Sequence, residues 1–295
     1  YGKHGAVITH SEMDLLFLNE DPRVIKAGDV AFIQCVGSRN EEHPYCSKVC
    51  CTHTVLSALE IKRRNPDANV YVFYRDMRTY GIREDLYRKA RAQGVLFIRY
   101  SKDEKPVVKA DGDRVKIIFR DLILNRQLST HADILCLATA IVSHRDHGLA
   151  RFFKVPMDSD GWFLEAHQKL RPVDFANDGV FLCGMAHYPK PMDESIAQAQ
   201  AAAARALTVL SMETIQVGGI VCSIDAALCS ACLACINVCP YGAISFNPDK
   251  GAAEINEALC KGCGACAATC PSEAAVLMGF NNKELYAQIR GALAA

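Results

Sequence analysis

The chain has 295 residues, a length that typically corresponds to two or three domains. Half of the residues are hydrophobic, which is enough for sizeable cores. Lys plus Arg and Asp plus Glu balance at 33 each, so the composition offers no electrostatic argument for binding nucleic acid or a membrane surface. The sequence has no apolar run near the roughly 18 residues of a membrane-spanning helix. Many cysteines in metal-type spacing, with no signal peptide at the start of the chain, predict a cytoplasmic protein.

The first well-marked region, residues 28–105, alternates strand and helix patterns. Its apolar runs and helix stops predict, in chain order, a strand at 29–34, a helix at 47–64, a strand at 69–74, a helix at 83–93 and a strand at 95–100. This order is half of a doubly wound parallel sheet. We therefore expect a Rossmann-like lobe over residues 28–105.

The first strand-to-helix turn of such a lobe normally carries a glycine-rich phosphate loop. Here only Gly37 remains, and four cysteines fall at the same place: Cys35, Cys46, Cys50 and Cys51. Adjacent cysteines on a helix point to different sides, which suits a ligand cage better than a packing stripe. We predict an iron–sulfur cluster here in place of a nicotinamide dinucleotide. The alternative is that Cys46 and Cys50 share one helix face and Cys35 is buried in a strand.

From about residue 106 the pattern changes to short alternating strands at 114–119 and 132–137 that bracket a polar turn. A long alanine-rich helix is predicted at 192–210, after Pro189-Lys190-Pro191. Unpaired backbone amides and the positive dipole end at a helix N-terminus can stabilise a reduced flavin, and we take the amides near Ser195 and Ile196 as candidates. A plain packing helix is the alternative.

Two copies of the pattern Cys-x2-Cys-x2-Cys-x3-Cys-Pro define residues 218–280. The first copy is Cys229, Cys232, Cys235 and Cys239; the second is Cys260, Cys263, Cys266 and Cys270. This is the bacterial ferredoxin run, in which the fourth cysteine of each run ligates the other [4Fe–4S] cluster. Cluster one is therefore predicted to take Cys270, and cluster two Cys239. A shift of 31 residues superposes every ligand, as in a pseudo-two-fold module. A zinc ribbon or a disulfide knot is a poor alternative, because zinc sites use two pairs of ligands and disulfide frameworks belong to small secreted domains.

The block Cys35-Val36-Gly37-Ser38-Arg39 … Tyr45-Cys46-Ser47-Lys48-Val49-Cys50-Cys51, together with the ferredoxin runs, resembles the C-terminal half of the HdrA family, the iron–sulfur flavoprotein subunits of heterodisulfide reductases. The resemblance covers essentially the whole chain and ends in a helical tail, residues 281–295. It implies a thioredoxin-reductase-like, two-dinucleotide-binding α/β core and an α+β dicluster ferredoxin domain. In this family the four upstream cysteines bind an extra [4Fe–4S] cluster near the flavin, so we expect three clusters and an FAD.

The resemblance also implies a domain plan and flavin contacts. Residues 1–27 would connect to an N-terminal FAD lobe that this chain lacks, and residues 106–217 would be the returning part of the FAD-binding domain. Residues 179–185 resemble a late strand that contacts FAD in such flavoproteins. The flavin contacts are expected at Thr139, Gly184, Met185, Lys190, Ser195 and Ile196. The chain departs from the family in two places that bear on flavin tuning: Met185 stands where a polar residue is usual, and Leu56 where many members carry a Lys.

The expected function is an oxidoreductase subunit of anaerobic metabolism that passes electrons between a flavin and [4Fe–4S] clusters, with electron bifurcation a known property of the family. Expected partners are the other heterodisulfide reductase subunits, or electron carriers linked to a hydrogenase or dehydrogenase, with ferredoxin a further candidate. The competing hypothesis is a non-catalytic scaffold or electron wire whose flavin site has degenerated. A redox sensor built on Cys50 and Cys51 is weaker, because a cluster would consume those thiols.

Three further residues are expected to be structural rather than functional. Cys136 and Cys183 lie in apolar runs that predict strands, where free cysteine is usually buried. His53 is expected on a helix surface, with a hydrogen bond to a cluster sulfur as the alternative.

Overall fold

The structure, a computed structural model, describes residues 1–214 and 219–294. The chain divides into two compact units, the first made of residues 1–145, 157–163 and 182–200, and the second of residues 146–156, 164–181 and 201–295. The expected boundary between residues 217 and 218 lies outside the described residues, as does the last residue of the expected C-terminal tail.

The first unit is an α/β unit with a parallel sheet and a smaller antiparallel sheet. Its elements, in chain order, are β1 (Val7–Thr9), α1 (His10–Leu18), α2 (Pro22–Lys26), β2 (Asp29–Val36), α3 (Cys50–Arg64), β3 (Asn69–Tyr74), α4 (Glu84–Ala92), β4 (Leu96–Arg99), β5 (Val107–Asp111), β6 (Arg114–Asp121), β7 (Arg126–Ala132) and β8 (Ile134–Thr139). The parallel sheet has the strand order β1–β8–β2–β3–β4. The predicted α/β class is confirmed.

Strand β2 is central because its residues are apolar on both faces. Val30, Ala31 and Phe32 have no exposed surface, as expected of a parallel strand covered on both sides. Helix α3 ends at Arg64, directly before Asn65-Pro66, because a residue that precedes proline avoids the helical region. Helix α1 begins with a capping box between Thr9 and Glu12, which satisfies two backbone donors at its start.

Two expected domain boundaries differ from the structure. Residues 1–27 are not a connector, because β1 pairs with β8 at the edge of the parallel sheet and Met13 of α1 is fully buried in its core. Strand β8, expected in a separate domain over 106–217, lies between β1 and β2 of the same sheet. The reason is that Leu135 and Cys136 are apolar on opposite faces of β8, and only an interior position of the sheet buries both.

The antiparallel sheet β5–β6–β7 covers one face of the parallel sheet. Val115, Ile117 and Phe119 alternate along β6 and point into a cluster that contains Phe73 and Leu135. The cluster on the opposite face contains Phe32, Val55 and Ile61, from β2 and α3. These two hydrophobic clusters fix β2 and β8 in place, and the upstream cysteines lie at the C-terminal ends of those strands.

The second unit contains the predicted ferredoxin module. Its elements are α5 (His147–Phe153), the end of α6 (Met192–Leu210), which begins in the first unit, then β9 (Cys222–Ile224), α7 (Ala234–Val238), β10 (Ile244–Asn247), β11 (Ala252–Ile255), α8 (Ala265–Thr269), β12 (Ala275–Leu277) and α9 (Asn282–Leu293). β9 pairs with β12, and β10 with β11, both antiparallel. Helix α6 has the predicted bounds.

Other predicted elements differ in detail. Helix α3 begins at Cys50 rather than Ser47, because Lys48 has a left-handed backbone with φ of 60° that no helix can include. Residues 179–185, expected as a late flavin-contacting strand, form one bridge between Phe181 and Asp174 and a single 3₁₀ turn at Gly184–Ala186. The strand prediction there was wrong, since Gly179 and Gly184 both have positive φ and interrupt an extended run.

Candidate iron–sulfur and flavin sites

The ferredoxin module repeats its backbone as well as its cysteines. Helices α7 and α8 are offset by 31 residues, as the sequence repeat predicts. Three pairs of equivalent residues have a positive φ: Ala231 and Gly262, Leu233 and Gly264, Gly242 and Glu273. Each cysteine loop therefore folds in the same way, with left-handed residues between its ligands.

The cysteines predicted for cluster two line one cavity. Cys260, Cys263 and Cys266 meet Cys239 there, although Cys239 belongs to the other run. Apolar side chains such as Ile244 and Ile255 complete its wall. This is the crossed arrangement in which one run supplies three thiols and the other run the fourth.

Three of the four cysteines predicted for cluster one, Cys229, Cys235 and Cys270, lie close together. Cys235 is buried, and burial raises the pKa of its thiol, as does the proximity of Cys229 and Cys270. Burial also acts on Cys270, but the backbone N–H groups of Ala274 and Ala275 and the Ser272 side chain outweigh it and lower its pKa. Cys232, the fourth, is exposed. Ligation by these four residues remains a prediction, as it does for the other two sets.

Cys222 is closer to the module's chemistry than the sequence indicates. It is only 2% exposed, as expected of a strand residue, but its backbone N–H lies 3.4 Å from the sulfur of Cys260. Burial and a contact with Cys266 raise the pKa of its own thiol. An amide donor to a ligand sulfur is one of the factors that set a cluster's potential. Its offset of seven residues from the first run gave no signal of this contact.

The four upstream cysteines meet at the C-terminal end of β2. The register of β2 against β8 shifts between Ile33 and Val36, and Cys35 within this bulge has a φ of 60°. A bulge re-aims a side chain, and a non-glycine residue with positive φ is rare enough to mark a site. Cys50 and Cys51 open α3 and are buried together with Ala138. Burial raises the pKa of Cys35, and the nearby thiols of Cys51 and Cys46 raise it too.

Cations and N–H donors surround these thiols. Arg39 Nη1 lies 3.9 Å from Cys35 Sγ, and the Lys48 backbone N–H lies 3.3 Å from Cys46 Sγ. A hydrogen bond from Cys50 lowers the pKa of Cys51 to about 7 although burial opposes it, and Arg78 and Arg39 also lower it. The same bond and burial raise the pKa of Cys50.

This donor set fits an anionic cluster held by four thiolates, and it fits a shared packing face less well. The packing alternative does not account for the bulge at Cys35 or for a cation aimed at its sulfur. Among residues 1–214 and 219–294, no three His, Cys, Asp or Glu side chains are placed to hold a single metal ion. A four-iron cluster is bound at its corners, so its four thiolates need not converge on one point.

The expected flavin contacts are distributed along the end of β8 and the segment before α6. Thr139 ends β8 with an exposed side chain, Gly184 has φ of 65°, and Met185 is 48% exposed. Lys190 is buried, and its Nζ lies 3.1 Å from His187 Nδ1 and 2.5 Å from Gln198 Oε1. An ammonium group held in this way is positioned by the protein rather than reaching into solvent.

The structure corrects the predicted amide contacts. The Ser195 backbone N–H donates to the Pro191 carbonyl at 3.0 Å, the first bond of the helix ladder, and its hydroxyl donates to the same oxygen. Ile196 follows within the helix, so its amide is also used in the ladder. The amides that a helix leaves unpaired belong to its first turn, here Met192, Asp193 and Glu194.

An ion-pair network joins the start of α6 to the upstream cysteines, and sequence reasoning missed it. Lys48 Nζ lies 2.9 Å from Glu194 Oε2, Tyr80 also hydrogen-bonds Glu194, and Arg83 pairs with Asp193. Burial raises the pKa of Tyr80 to about 12, and the carboxylate of Glu194 adds to the shift. Lys48 thus contacts the cysteine site through its backbone and α6 through its side chain. Partners separated by more than 100 residues leave no local pattern in the sequence.

The residues expected to be structural fall into two groups. Cys136 is fully buried in β8, as predicted, whereas Cys183, predicted in an apolar strand, is exposed. His53, predicted to lie on a helix surface, pairs with Asp14 at 2.9 Å and stacks on the buried His10.

No helix in the described part of the chain is long and apolar enough to span a membrane.

Comparisons with known proteins bear on the ferredoxin module and on the family of the chain. Residues 228–274 match the model of the 4Fe-4S dicluster domain. The HdrA protein of the H(2):CoB-CoM heterodisulfide,ferredoxin reductase of Methanothermobacter thermautotrophicus is 37% identical over 99% of this chain and 46% of its own length. The HdrA protein, named as an iron-sulfur subunit, of the CoB--CoM heterodisulfide reductase of Methanocaldococcus jannaschii is 34% identical over 100% of this chain and 47% of its own. Both relatives are parts of oxidoreductases by name.

The thioredoxin reductase of T. acidophilum superposes on 72% of this chain and 59% of its own at 13% identity, with a TM-score of 0.45. The fold described above rests on the strand order and not on this superposition. The chain spans about half the length of the curated relatives that it matches. Over that length, the chain belongs to the HdrA family of heterodisulfide reductase subunits.

Proposed function

We propose that this chain is an electron-transfer subunit of an oxidoreductase complex and passes electrons between a flavin and three [4Fe–4S] clusters. The observation that carries the proposal is the meeting of Cys239 with Cys260, Cys263 and Cys266 around one cavity. Two runs that exchange their fourth ligand hold their clusters close together, so electrons can pass from one cluster of the module to the other. The dicluster domain match supports the same two clusters.

The third cluster would be held by Cys35, Cys46, Cys50 and Cys51. Its support is the bulge that turns Cys35 out of β2, the mutual proximity of the four thiols, and the Arg39 guanidinium at 3.9 Å from Cys35 Sγ. A cluster with four thiolate ligands is an anion, so cations and amide donors stabilise it. When bound, the clusters supply one-electron carriers, and the chain supplies their ligands and the charges around them.

The flavin would be FAD, with Thr139, Gly184, Met185 and Lys190 among its contacts. We place the amide contacts at the first turn of α6, Met192 to Glu194, rather than at Ser195 and Ile196. The ammonium of Lys190 and the dipole end of α6 could both stabilise negative charge on a reduced flavin. Lys48 and Arg83 offset the carboxylates at that helix end.

The partners we propose are the other subunits of a heterodisulfide reductase complex or hydrogenase- or dehydrogenase-linked carriers, with ferredoxin as a further one. The relatives' names support this choice, since they specify a CoB–CoM heterodisulfide and, for one of them, ferredoxin. Such a complex would work in the cytoplasm of an anaerobic cell and could divide electron pairs from the flavin between two acceptors.

The test is the cofactor content of the complex, prepared anaerobically with the full-length chain. Twelve cysteines in three cages imply about twelve irons per chain, with one FAD. Electron paramagnetic resonance after reduction then reports the [4Fe–4S] clusters. A preparation with zinc in place of iron, or with no flavin and no reducible cluster, would contradict the proposal.

A second candidate function is an iron–sulfur scaffold or electron wire without a working flavin site. The observations that favour it are the use of the Ser195 amide within the helix and the apolar, half-exposed Met185 at the expected ribityl contact. This candidate predicts the same iron content but no bound FAD in the complex. The FAD measurement therefore separates the two functions.

A further inference from the structure

The two halves of the ferredoxin module have equivalent backbones but different charges. Position 242 corresponds to position 273 under the 31-residue repeat, and both follow the fourth cysteine of a run by three residues. Each closes the same turn: the Gly242 N–H lies 3.5 Å from the Cys239 carbonyl, and the Glu273 N–H lies 3.4 Å from the Cys270 carbonyl. One turn carries no side chain and the other carries a carboxylate.

The bare turn is filled by a cation from outside the module. A Cβ at Gly242 would collide with Nζ of Lys154, the residue that follows α5 in the same unit. Gly242 has a φ of 61°, and the ammonium lies in the space that a side chain would occupy. At Glu273 a side chain is present although φ is 54°, so this backbone conformation does not by itself require glycine. The glycine at position 242 leaves room for Lys154.

A second cation lies directly beside the cluster-two ligands. Lys261 follows Cys260, lines the cavity of that ligand set, and has only 27% of its side chain exposed. Its equivalent beside Cys229 is the neutral Ser230. Asp178, from the segment that precedes the module, pairs with Lys261 and partly offsets its charge.

The other charges of the loops do not remove the difference. The ligand loops of cluster one carry the acids Asp225 and Glu273 and no base. On the side of cluster two, the two acids Glu257 and Asp178 are matched by the two bases Lys154 and Lys261, so the acids are not in excess.

Hydrogen-bond donors reach both ligand sets. The Cys222 N–H reaches Cys260 Sγ, and the Ser272 hydroxyl lies 3.6 Å from Cys270 Sγ. Cys270 also accepts the backbone N–H groups of Ala274 and Ala275, which favour reduction of cluster one, so charge is the feature that favours cluster two.

We infer that Lys154 and Lys261 make the cluster held by Cys239, Cys260, Cys263 and Cys266 the more easily reduced of the two in the module. Reduction adds one electron and one negative charge to a cluster without breaking a bond, and nearby positive charge stabilises that state. The electron would come from a one-electron donor such as the reduced flavin, so the inference rests on the proposed function. It goes further by stating which of the two clusters in the module has the higher reduction potential.

The experiment is an anaerobic reductive titration of the iron-loaded complex, followed by electron paramagnetic resonance. Lys154→Gln and Lys261→Gln should each lower the potential of the same, higher-potential cluster, and the double variant should shift its reduction equilibrium about tenfold, equal to about 59 mV for one electron. Glu273→Gln should raise the potential of the other cluster. The matched control is Lys250→Gln, which removes a lysine of the same module that pairs with Glu254 at 2.7 Å on the β10–β11 hairpin. It should move neither cluster by a comparable amount.

Asp178→Asn distinguishes a charge effect from a structural one. If Lys261 acts through its charge, removing its partner carboxylate should raise the potential of the cluster that Lys261→Gln lowers. If the ion pair only holds the loop in place, both variants should shift the potential in the same direction, which would overturn the inference. Equal potentials in a fully loaded module would overturn it as well and leave the proposed function standing. A module that assembles no cluster would overturn both.

Discussion

Arg39 joins a cysteine of the upstream site to the carboxylate of Asp76. Its Nη1 lies 3.9 Å from Cys35 Sγ, while its Nη2 lies 2.5 Å from Asp76 Oδ2, and only 15% of its side chain is exposed. The hydrogen bond from Arg39 lowers the pKa of Asp76, so the pair remains charged over the physiological range. The guanidinium is thereby fixed with one edge on the carboxylate and another toward the sulfur, as its fork of donors allows.

Replacing Arg39 with Gln should lower the reduction potential of the upstream cluster. The variant loses a charge-assisted donor to the ligand sulfur, and such bonds contribute on the order of 1–3 kcal/mol, so a shift of roughly 60 mV is expected. A redox titration of the anaerobic complex measures the shift. Arg99→Gln is the control, because Arg99 pairs with the same Asp76 at 3.4 Å but is 62% exposed. A shift of equal size in both variants would show that loss of the Asp76 pair, and not the donor to Cys35, is responsible.

Iron content tests the upstream cage directly. The complete protein should hold about twelve irons per chain, and Cys35→Ala should reduce this to about eight while leaving the ferredoxin clusters intact. Cys136→Ala, at a buried cysteine that belongs to none of the three ligand sets, should leave all twelve. Eight irons in the unmodified chain, unchanged by Cys35→Ala, would remove the upstream cluster and return Cys50 and Cys51 to a packing role.

Residues 28–105 should not bind NAD(P)H. A dinucleotide needs a close approach of its phosphates to the turn after β2, and that turn holds the re-aimed Cys35 and only one glycine, Gly37, at the end of the strand. Isothermal titration of the iron-loaded protein with NADPH should therefore show no saturable binding. Tight binding that persists after cluster assembly would restore an ordinary reductase lobe.

The sequence predicted the fold where its signals were local. Three features could be identified because each is visible in the order of residues alone: the apolar run of β2, the proline that stops α3 and the 31-residue repeat. The edge strand β1 is only three residues long and pairs with β8, more than 120 positions away, so nothing within residues 1–27 marks it. The same holds for Lys48 and Glu194. They meet because the chain returns to the first unit at residue 182, before α6 begins. Ligand spacing is a sequence property, whereas the charge around a ligand set depends on tertiary structure.

His10 should stay neutral well below the pH at which histidine normally takes up a proton. Burial lowers its pKa from 6.5 to about 3, and the neighbouring His53 contributes to that shift. Because the unfolded chain binds this proton at higher pH than the folded chain, stability should fall as the pH drops below about 6.5, by up to about 1.4 kcal/mol per pH unit until about pH 3. Above pH 6.5 the contribution is fully present.

Nuclear magnetic resonance of the imidazole carbons would measure the His10 titration. His10→Gln should remove this part of the acid sensitivity, because its side chain does not titrate. A His10 signal that titrates near pH 6.5 would mean that the side chain opens to water in solution, against its 7% exposure in the structure.

The terminal helix α9 is expected to serve a partner rather than the fold. None of its described residues is buried, and Leu285, Ile289 and Leu293 recur along one face with 37%, 54% and 83% of their surface exposed. Packing against the module, the competing explanation, would bury this face. A capping box between Asn281 and Glu284 starts the helix, so it does not depend on the module for its first turn.

Deleting residues 281–295 should therefore leave all clusters assembled while slowing electron transfer to or from the partner in the reconstituted complex. Leu285→Ser combined with Ile289→Ser should have the same effect, because these changes remove the apolar face and keep the helix. Ala287→Ser, on the opposite side of α9, is the matched control and should leave the rate unchanged. Iron loss on deletion would indicate that the helix stabilises the module, and an unchanged rate in the deletion variant would eliminate the docking role.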